Sequence, residues 1–268
     1  MKAIFFDLDE TLLDTSGCRP PAVEASFRVA AQKYPQLDLE SWREASEIVK
    51  KEMHDLWLNS PDSGTELLRE GSYRILKRLG IDDRDFALQV SQAYYQTWVS
   101  YLKLFPEVRE VLAALRGRVR LGMISNGPSD VQRYKLKLFE LEREFDPIVI
   151  SGEVGVAKPD PGIFRYALER ARVSPSEALY VGDSPMYDIA GAKGAGMKMI
   201  WVNRNGLPTE NLEIKPDRVV RDLRQLLAIL RARSVVNQTW GTLRVPPEIV
   251  QEVLKEEPEL FDEDEQHS

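Results

Sequence analysis

The sequence predicts an α/β fold: a parallel sheet with helices on both faces, broken after its first strand by a helical insertion. Two patterns predict it. Five short apolar runs, KAIFFDL (2–8), RVRLGMIS (118–125), PIVIS (147–151), ALYVG (178–182) and KMIWV (198–202), alternate with amphipathic helical stretches. Runs of this kind mark strands buried on both faces, and helical crossovers are how parallel neighbours are joined. Residues 17–103, by contrast, carry helical spacing and no convincing strand.

The first strand runs straight into DLDET, which sets Asp7 and Asp9, and then Asp14, directly behind it. In the insertion, Val23, Phe27, Ala30 and Tyr34 share a helical face, as do Trp42, Ala45, Val49, Met53 and Leu56, and then Phe86, Val90, Ala93, Thr97 and Tyr101. ELLREGSYRILKRLG adds a further helix stopped by Gly80, so about four helices are expected in a bundle over 17–103. The chain crosses between the two parts near 15–20 and 100–106, where Gly17 and Pro106 mark candidate hinges. Farther on, DVQRYKLKLFELERE, PGIFRYALERAR and PMYDIAGAKGAG read as the helices between the later strands. The core domain thus comprises 1–16 and 104–233. In the extension 234–268 a short extended piece and one helix, with Ile249 and Val253 on a shared face, precede an acidic PELFDEDEQHS expected to be disordered.

The 268 residues carry a formal charge of −7, which argues against a general nucleic-acid binder, since such binding draws on Lys and Arg to neutralise phosphates. No apolar run approaches the ~20 residues of a membrane helix. The N-terminus resembles neither a signal nor a transit peptide, so a cytoplasmic location is expected. The single cysteine, Cys18, excludes an intrachain disulfide and a cysteine zinc cage, and is read as structural. GAKGAG, with Gly191, Gly194 and Gly196, follows a helical segment rather than a strand and lacks the context of a dinucleotide loop. His54 and His267 read as ordinary surface or insertion residues. The aromatics Trp42, Trp57, Tyr94, Tyr95 and Trp98 read as core rather than a ligand box. Arg19, close to a crossing, is a candidate substrate contact.

In open parallel sheets ligands bind at the carboxyl ends of the strands. Asp7 and Asp9, Ser125 and Asn126, and Gly182 and Asp183 all follow strands, and VAKPDP places Lys158 ahead of a helix. Four loops far apart in sequence then converge on one site. Clustered carboxylates repel one another unless a cation is shared. Asp7, Asp183 and Asp188 would supply hard oxygen ligands that suit Mg²⁺, and without nearby cysteine or histidine zinc is disfavoured. Phosphoryl transfer needs a nucleophile, charge neutralisation and a proton for the leaving group. Asp7 fits the nucleophile and Asp9 the acid and base; Lys158, the Ser125 hydroxyl and the Asn126 N–H fit the phosphoryl oxygens. The bland readings are that Ser125 and Asn126 cap the following helix, and that Lys158 is a solvated surface charge.

DLDET, SNG, KP and GDSPMYD, in that order, resemble the four signature motifs of the haloacid dehalogenase (HAD) superfamily over residues 1 to about 230. The resemblance implies a Rossmann-like core, Mg²⁺, Asp7 as nucleophile and Asp9 as acid and base. It also implies that Asp9 lends its backbone carbonyl to the metal and that Asp183 ligates it with Asp188 in support. Thr11 braces the loop and is grouped with Ser125, Asn126 and Lys158 on the phosphate side. The insertion resembles the C1 cap, which sets substrate choice, and the stretch from Ser125 to Lys158 is too short for another large one. ISNGPSDVQRYKLKLFELEREFDPIVISGEVGVAKPDPGIF is similar to the branch containing 5′-nucleotidases and N-acylneuraminate-9-phosphatase.

The expected activity is a Mg²⁺-dependent phosphatase for a small metabolite, a nucleoside monophosphate or a sugar phosphate, working as a monomer or homodimer without membrane or nucleic-acid partners. Three rivals stay open. A 2-haloacid dehalogenase would use the same nucleophile but needs no acid at Asp9. A phosphomutase would return the phosphoryl group to a sugar. A non-catalytic binding module would have no need of a nucleophile, an acid and a lysine together.

Overall fold

The computed structural model describes residues 1–59, 63–210 and 212–233. The chain folds in the order β1 (Ala3–Phe6), β2 (Leu13–Asp14), α1 (Arg19–Lys33), α2 (Leu39–Glu52), α3 (His54–Asn59), α4 (Gly64–Arg78), α5 (Ala87–Ser100), β3 (Lys103–Leu104) and α6 (Val108–Leu115). It continues with β4 (Arg120–Ser125), α7 (Ser129–Leu138), β5 (Ile148–Ile150), α8 (Ser151–Val154), α9 (Pro161–Ala171), β6 (Ala178–Gly182), α10 (Ala190–Gly194), β7 (Lys198–Val202), β8 (Arg218–Val220) and α11 (Leu223–Arg233). Six strands form one parallel sheet in the order β5-β4-β1-β6-β7-β8, with β1 at the point where the chain reverses its direction across the sheet.

Alternation along β1 explains the layering, because successive side chains leave opposite faces of a strand. Ile4 and Phe6 join Val111, Leu112, Leu226 and Leu227 beneath α6 and α11. Ala3 and Phe5 join Phe164, Ala167 and Trp201 on the side of α9 and α10. Gly191 serves that second layer: a Cβ there would stand 2.3 Å from the Phe164 ring, so GAKGAG is a helix-packing device.

Between β2 and β3 the chain makes five helices among the described residues, one more than the spacing predicts. The second expected helix breaks at Met53 and restarts at His54. The register set by Trp42, Ala45 and Val49 is lost there, so Leu56, expected on the buried face, is 43% exposed. α5 likewise ends at Ser100, which leaves Tyr101 outside its buried face. The insertion has its own apolar cluster around Trp42, Leu76, Phe86 and Val90, with the Trp42 indole donating to Ser26 Oγ at 3.1 Å. Its two crossings lie side by side, because β2 and β3 pair antiparallel, Leu13 opposite Leu104 and Asp14 opposite Lys103. Neither two-residue strand was expected from the sequence. No described helix is long and apolar enough to cross a membrane. The expected extension 234–268 lies outside the described residues.

Candidate active site

In-register parallel pairing brings the strand ends level. Phe6 stands opposite Met123 of β4 and Val181 of β6, and the Asp7 N–H donates to the Val181 carbonyl at 2.9 Å. Asp7, Ser125 and Asp183 therefore emerge together at the carboxyl edge of the sheet. Lys158 reaches them from the loop between α8 and α9. Its ammonium donates to Asp7 Oδ1 at 2.6 Å, to Asp188 Oδ1 at 2.7 Å and to the Tyr180 hydroxyl at 3.0 Å, and the lysine is only 4% exposed. Lys158 is thus a buried partner of carboxylates and not a solvated charge.

The loop positions are held locally. The Asn126 carboxamide grips the Lys158 backbone in both directions, Nδ2 donating to its carbonyl and Oδ1 accepting its N–H, each at 2.9 Å. Asp188 Oδ2 accepts the Ser184 N–H at 2.9 Å, and the Trp201 indole donates to the Asp183 carbonyl at 2.7 Å. Gly182 is required beneath this turn, since a Cβ there would lie 2.5 Å from Asp188 Oδ2. Thr11 Oγ1 donates to Asp183 Oδ1 at 3.4 Å, which places this hydroxyl on the carboxylate side of the site.

One carboxylate oxygen from each of Asp7, Asp183 and Asp188 lies within 4.8 Å of the others. Asp7 and Asp188 share the Lys158 ammonium and are buried with it, and Asp183 beside them is half-buried. Burial, opposed by Lys158 and reinforced by Asp188, pushes the Asp7 carboxyl up to about 7. Burial and the neighbouring Asp7 and Asp188 push Asp183 up to about 8. Burial alone would lower Lys158, but Asp188 and Asp7 more than offset it and hold its ammonium above the ordinary lysine range. A divalent cation would cancel the two uncompensated negative charges, and an all-carboxylate donor set suits a hard ion such as Mg²⁺. The residues present fit that ion.

Asp9 faces elsewhere. It lines a chamber of about 370 Å³ between the insertion and the core, walled by Val49, Met53, Trp57, Tyr94, Tyr95 and Trp98, with Arg19 and Lys135 among its charged lining. Four of the five aromatics expected in the core thus border this space, and Trp42 alone is fully buried away from it. Arg19 is tied to Glu47 at 2.9 Å and to the Ser46 carbonyl at 3.1 Å. Both oxygens of Asp9 accept hydrogen bonds from Lys135 Nζ at 2.8 Å. Gln132 Nε2 donates to Asp9 Oδ2 at 3.0 Å, to Ser125 Oγ at 2.6 Å and to the Asn126 carbonyl at 2.8 Å.

Residues 1–196 match the family model of haloacid dehalogenase-like hydrolases. The chain belongs to that family. A phosphoserine phosphatase of Thermus thermophilus is 35% identical over 247 residues, which cover 84% of this chain and 98% of that protein. The human N-acylneuraminate-9-phosphatase is 28% identical, covering 87% of this chain and 94% of its own. Among solved structures, a 2-haloacid dehalogenase from Pseudomonas syringae superposes with a TM-score of 0.65 at 32% identity, over 86% of this chain and 98% of that one. In this hydrolase, sequence reasoning missed Lys135, Gln132 and Tyr180. Gln132 and Lys135 are three positions apart on the inward face of α7, beside buried Val131 and Leu136, and a polar pair on such a face was the available signal. Tyr180 was the lone polar residue in ALYVG. His54 also has a partner that the sequence did not show, since its Nε2 lies 2.6 Å from the Tyr187 hydroxyl across the boundary with the core.

Proposed function

We propose that the chain is a Mg²⁺-dependent phosphatase that hydrolyses a small phosphorylated metabolite through an aspartyl-phosphate on Asp7. The observation that carries this reading is the pairing of the buried Asp7–Lys158–Asp188 cluster with a separate carboxylate, Asp9, that faces a leaving-group chamber. Phosphatases among the relatives of the chain support it.

Asp7, Asp183 and Asp188, with the Asp9 backbone carbonyl, would hold Mg²⁺, which supplies charge neutralisation at the phosphoryl oxygens and brings the phosphate to the nucleophile. An Asp7 carboxylate oxygen attacks phosphorus, the ester P–O bond breaks, and Asp9 gives its proton to the departing alkoxide. Lys158 offsets charge on the phosphoryl group, and Ser125 Oγ with the Asn126 N–H donates hydrogen bonds to its oxygens. Asp9 then takes a proton from a water whose oxygen attacks phosphorus, the bond to Asp7 breaks, and phosphate leaves. Thr11, through its contact with Asp183, braces the loop. The helical insertion acts as a C1-type cap over residues 17–103, closing on the core domain (1–16 and 104–233) to exclude water and position the leaving group. A nucleoside or sugar moiety suits a chamber of about 370 Å³ with aromatic walls and a scatter of hydroxyls.

The solved relative titled as a 2-haloacid dehalogenase keeps a second chemistry in view. Halide leaves without a proton, so an acid facing the chamber and a third carboxylate at Asp183 favour ester hydrolysis over displacement of halide. The test is phosphate release from nucleoside monophosphates, sugar phosphates and phosphoserine, with Mg²⁺ and with a chelator. Release with Mg²⁺ that disappears in Asp7→Asn is the expected result. Full activity in Asp7→Asn, or halide release from a chloroacid in chelator, overturns the reading, and an isomerised sugar phosphate without free phosphate indicates a mutase.

A further inference from the structure

We propose that Lys135 is the positioning residue for Asp9: it aims this carboxylate at the leaving group, and it does so under the cover of Trp98 from the insertion. The inference rests on the role of Asp9 as acid and base given above.

Lys135 is 5% exposed, an uncommon place for a lysine unless it is paired. Its ammonium meets both oxygens of Asp9 at the same distance, 2.8 Å, and a carboxylate held by both oxygens has its plane as well as its position fixed. Gln132, one helical turn earlier on α7, adds a bond to Asp9 Oδ2 and with the same nitrogen reaches Ser125 Oγ. One face of one core helix therefore sets the spacing between the proposed acid and the proposed phosphate-binding hydroxyl. The Lys135 ammonium also lies 5.0 Å from the centre of the Trp98 ring, within the range of a cation–π contact. Trp98 belongs to α5, so this lysine touches both the insertion and Asp9.

An ordinary structural ion pair would show the same distances, and chemistry separates the two roles. An alkyl phosphate releases a strongly basic alkoxide that needs a proton, whereas p-nitrophenyl phosphate releases a stable phenolate that does not. Loss of Asp9 alignment therefore slows the first ester selectively, while general damage to the site slows both. The experiment measures kcat/KM for glycerol phosphate and p-nitrophenyl phosphate with the Mg²⁺-loaded full chain and its variants. Asp9→Asn sets the reference and should lose the alkyl ester selectively. Lys135→Met is expected to lose about tenfold or more on the alkyl ester and less than about threefold on p-nitrophenyl phosphate, within the span of general acid effects. Lys135→Arg, which keeps two-pronged contact with the carboxylate, should restore the alkyl ester to within about threefold of the unaltered enzyme.

Trp98→Leu should shift selectivity in the same direction, and it decides the question if Lys135→Met does not fold. Equal losses on both esters, or an unchanged ratio, overturn the inference. If Asp9→Asn itself shows no selectivity, the acid role of Asp9 falls. If Asp9→Asn is selective and Lys135→Met is not, only the role of Lys135 falls.

Discussion

Among the described residues Lys158 is the single ammonium bonded to the Asp7–Asp183–Asp188 cluster, and this imbalance has a thermodynamic signature. Burial and the neighbouring Asp188 raise Asp7 to about 7, and burial with the neighbouring Asp7 and Asp188 raises Asp183 to about 8, against 3.8 for a free aspartate. A carboxyl with a raised pKa binds more protons folded than unfolded. The stabilising contribution is therefore complete below the unfolded pKa and is lost as pH climbs through the folded values. Metal-free protein should lose melting temperature between about pH 4 and pH 8, and Mg²⁺ should restore it most at the upper end, as thermal unfolding in chelator and in Mg²⁺ would show. Asp183→Asn removes one repelling charge: it should melt higher than the unaltered chain in chelator at pH 8, by roughly 2–4 °C for each kcal/mol relieved, and should gain much less from Mg²⁺. A Mg²⁺ shift in that variant equal to the original would contradict this account. Asp7, Ser125 and Asp183 were legible because each stands at the end of an apolar run, and Lys158 because the prolines of VAKPDP mark the start of a helix. Lys135 was not, because its partner lies 126 positions away and DVQRYKLKLFELERE carries charge on every side.

At the scale of elements, the sheet strands with long apolar runs were easy to read and the insertion helices harder. β4, β6 and β7 each carry a buried apolar run of three or more residues, whereas β8 is three residues long, with Arg218 in it, and pairs with β7. The break at Met53 escaped the spacing argument because EIVKKEMHDLW carries no glycine or proline to announce it. Trp42 is the element-scale anchor of the insertion, with no exposed surface and its indole N–H satisfied. Trp42→Ala should cost about 3–5 kcal/mol in urea unfolding, the usual range for emptying an aromatic core site. Its cavity lies in a cluster separate from the sheet layers, so Mg²⁺ should still raise the melting temperature of this variant. Loss of the metal response would show that the two cores are not independent.

At the scale of the whole molecule, polar contacts fasten the insertion to the core beside the Tyr95–Tyr134 ring contact. His54 meets Tyr187 at 2.6 Å, Ser151 Oγ donates to the Leu58 carbonyl at 2.6 Å, and Asp130 Oδ1 accepts the Gly64 N–H at 2.8 Å. Such fastenings are individually worth about 1 kcal/mol, weak enough for the proposed opening and closing of the insertion over the site. His54→Ala should raise KM about threefold to fivefold with a smaller effect on kcat, because a less populated closed form taxes binding in proportion. Steady-state kinetics would test this, and an unchanged KM would mean that closure does not depend on the latch. The paired strands Leu13–Asp14 and Lys103–Leu104 carry a separate consequence. Entry and exit stand shoulder to shoulder, so the helical insertion is a cassette on a single stem, and trading it for another would leave every strand of the sheet beneath in its thread.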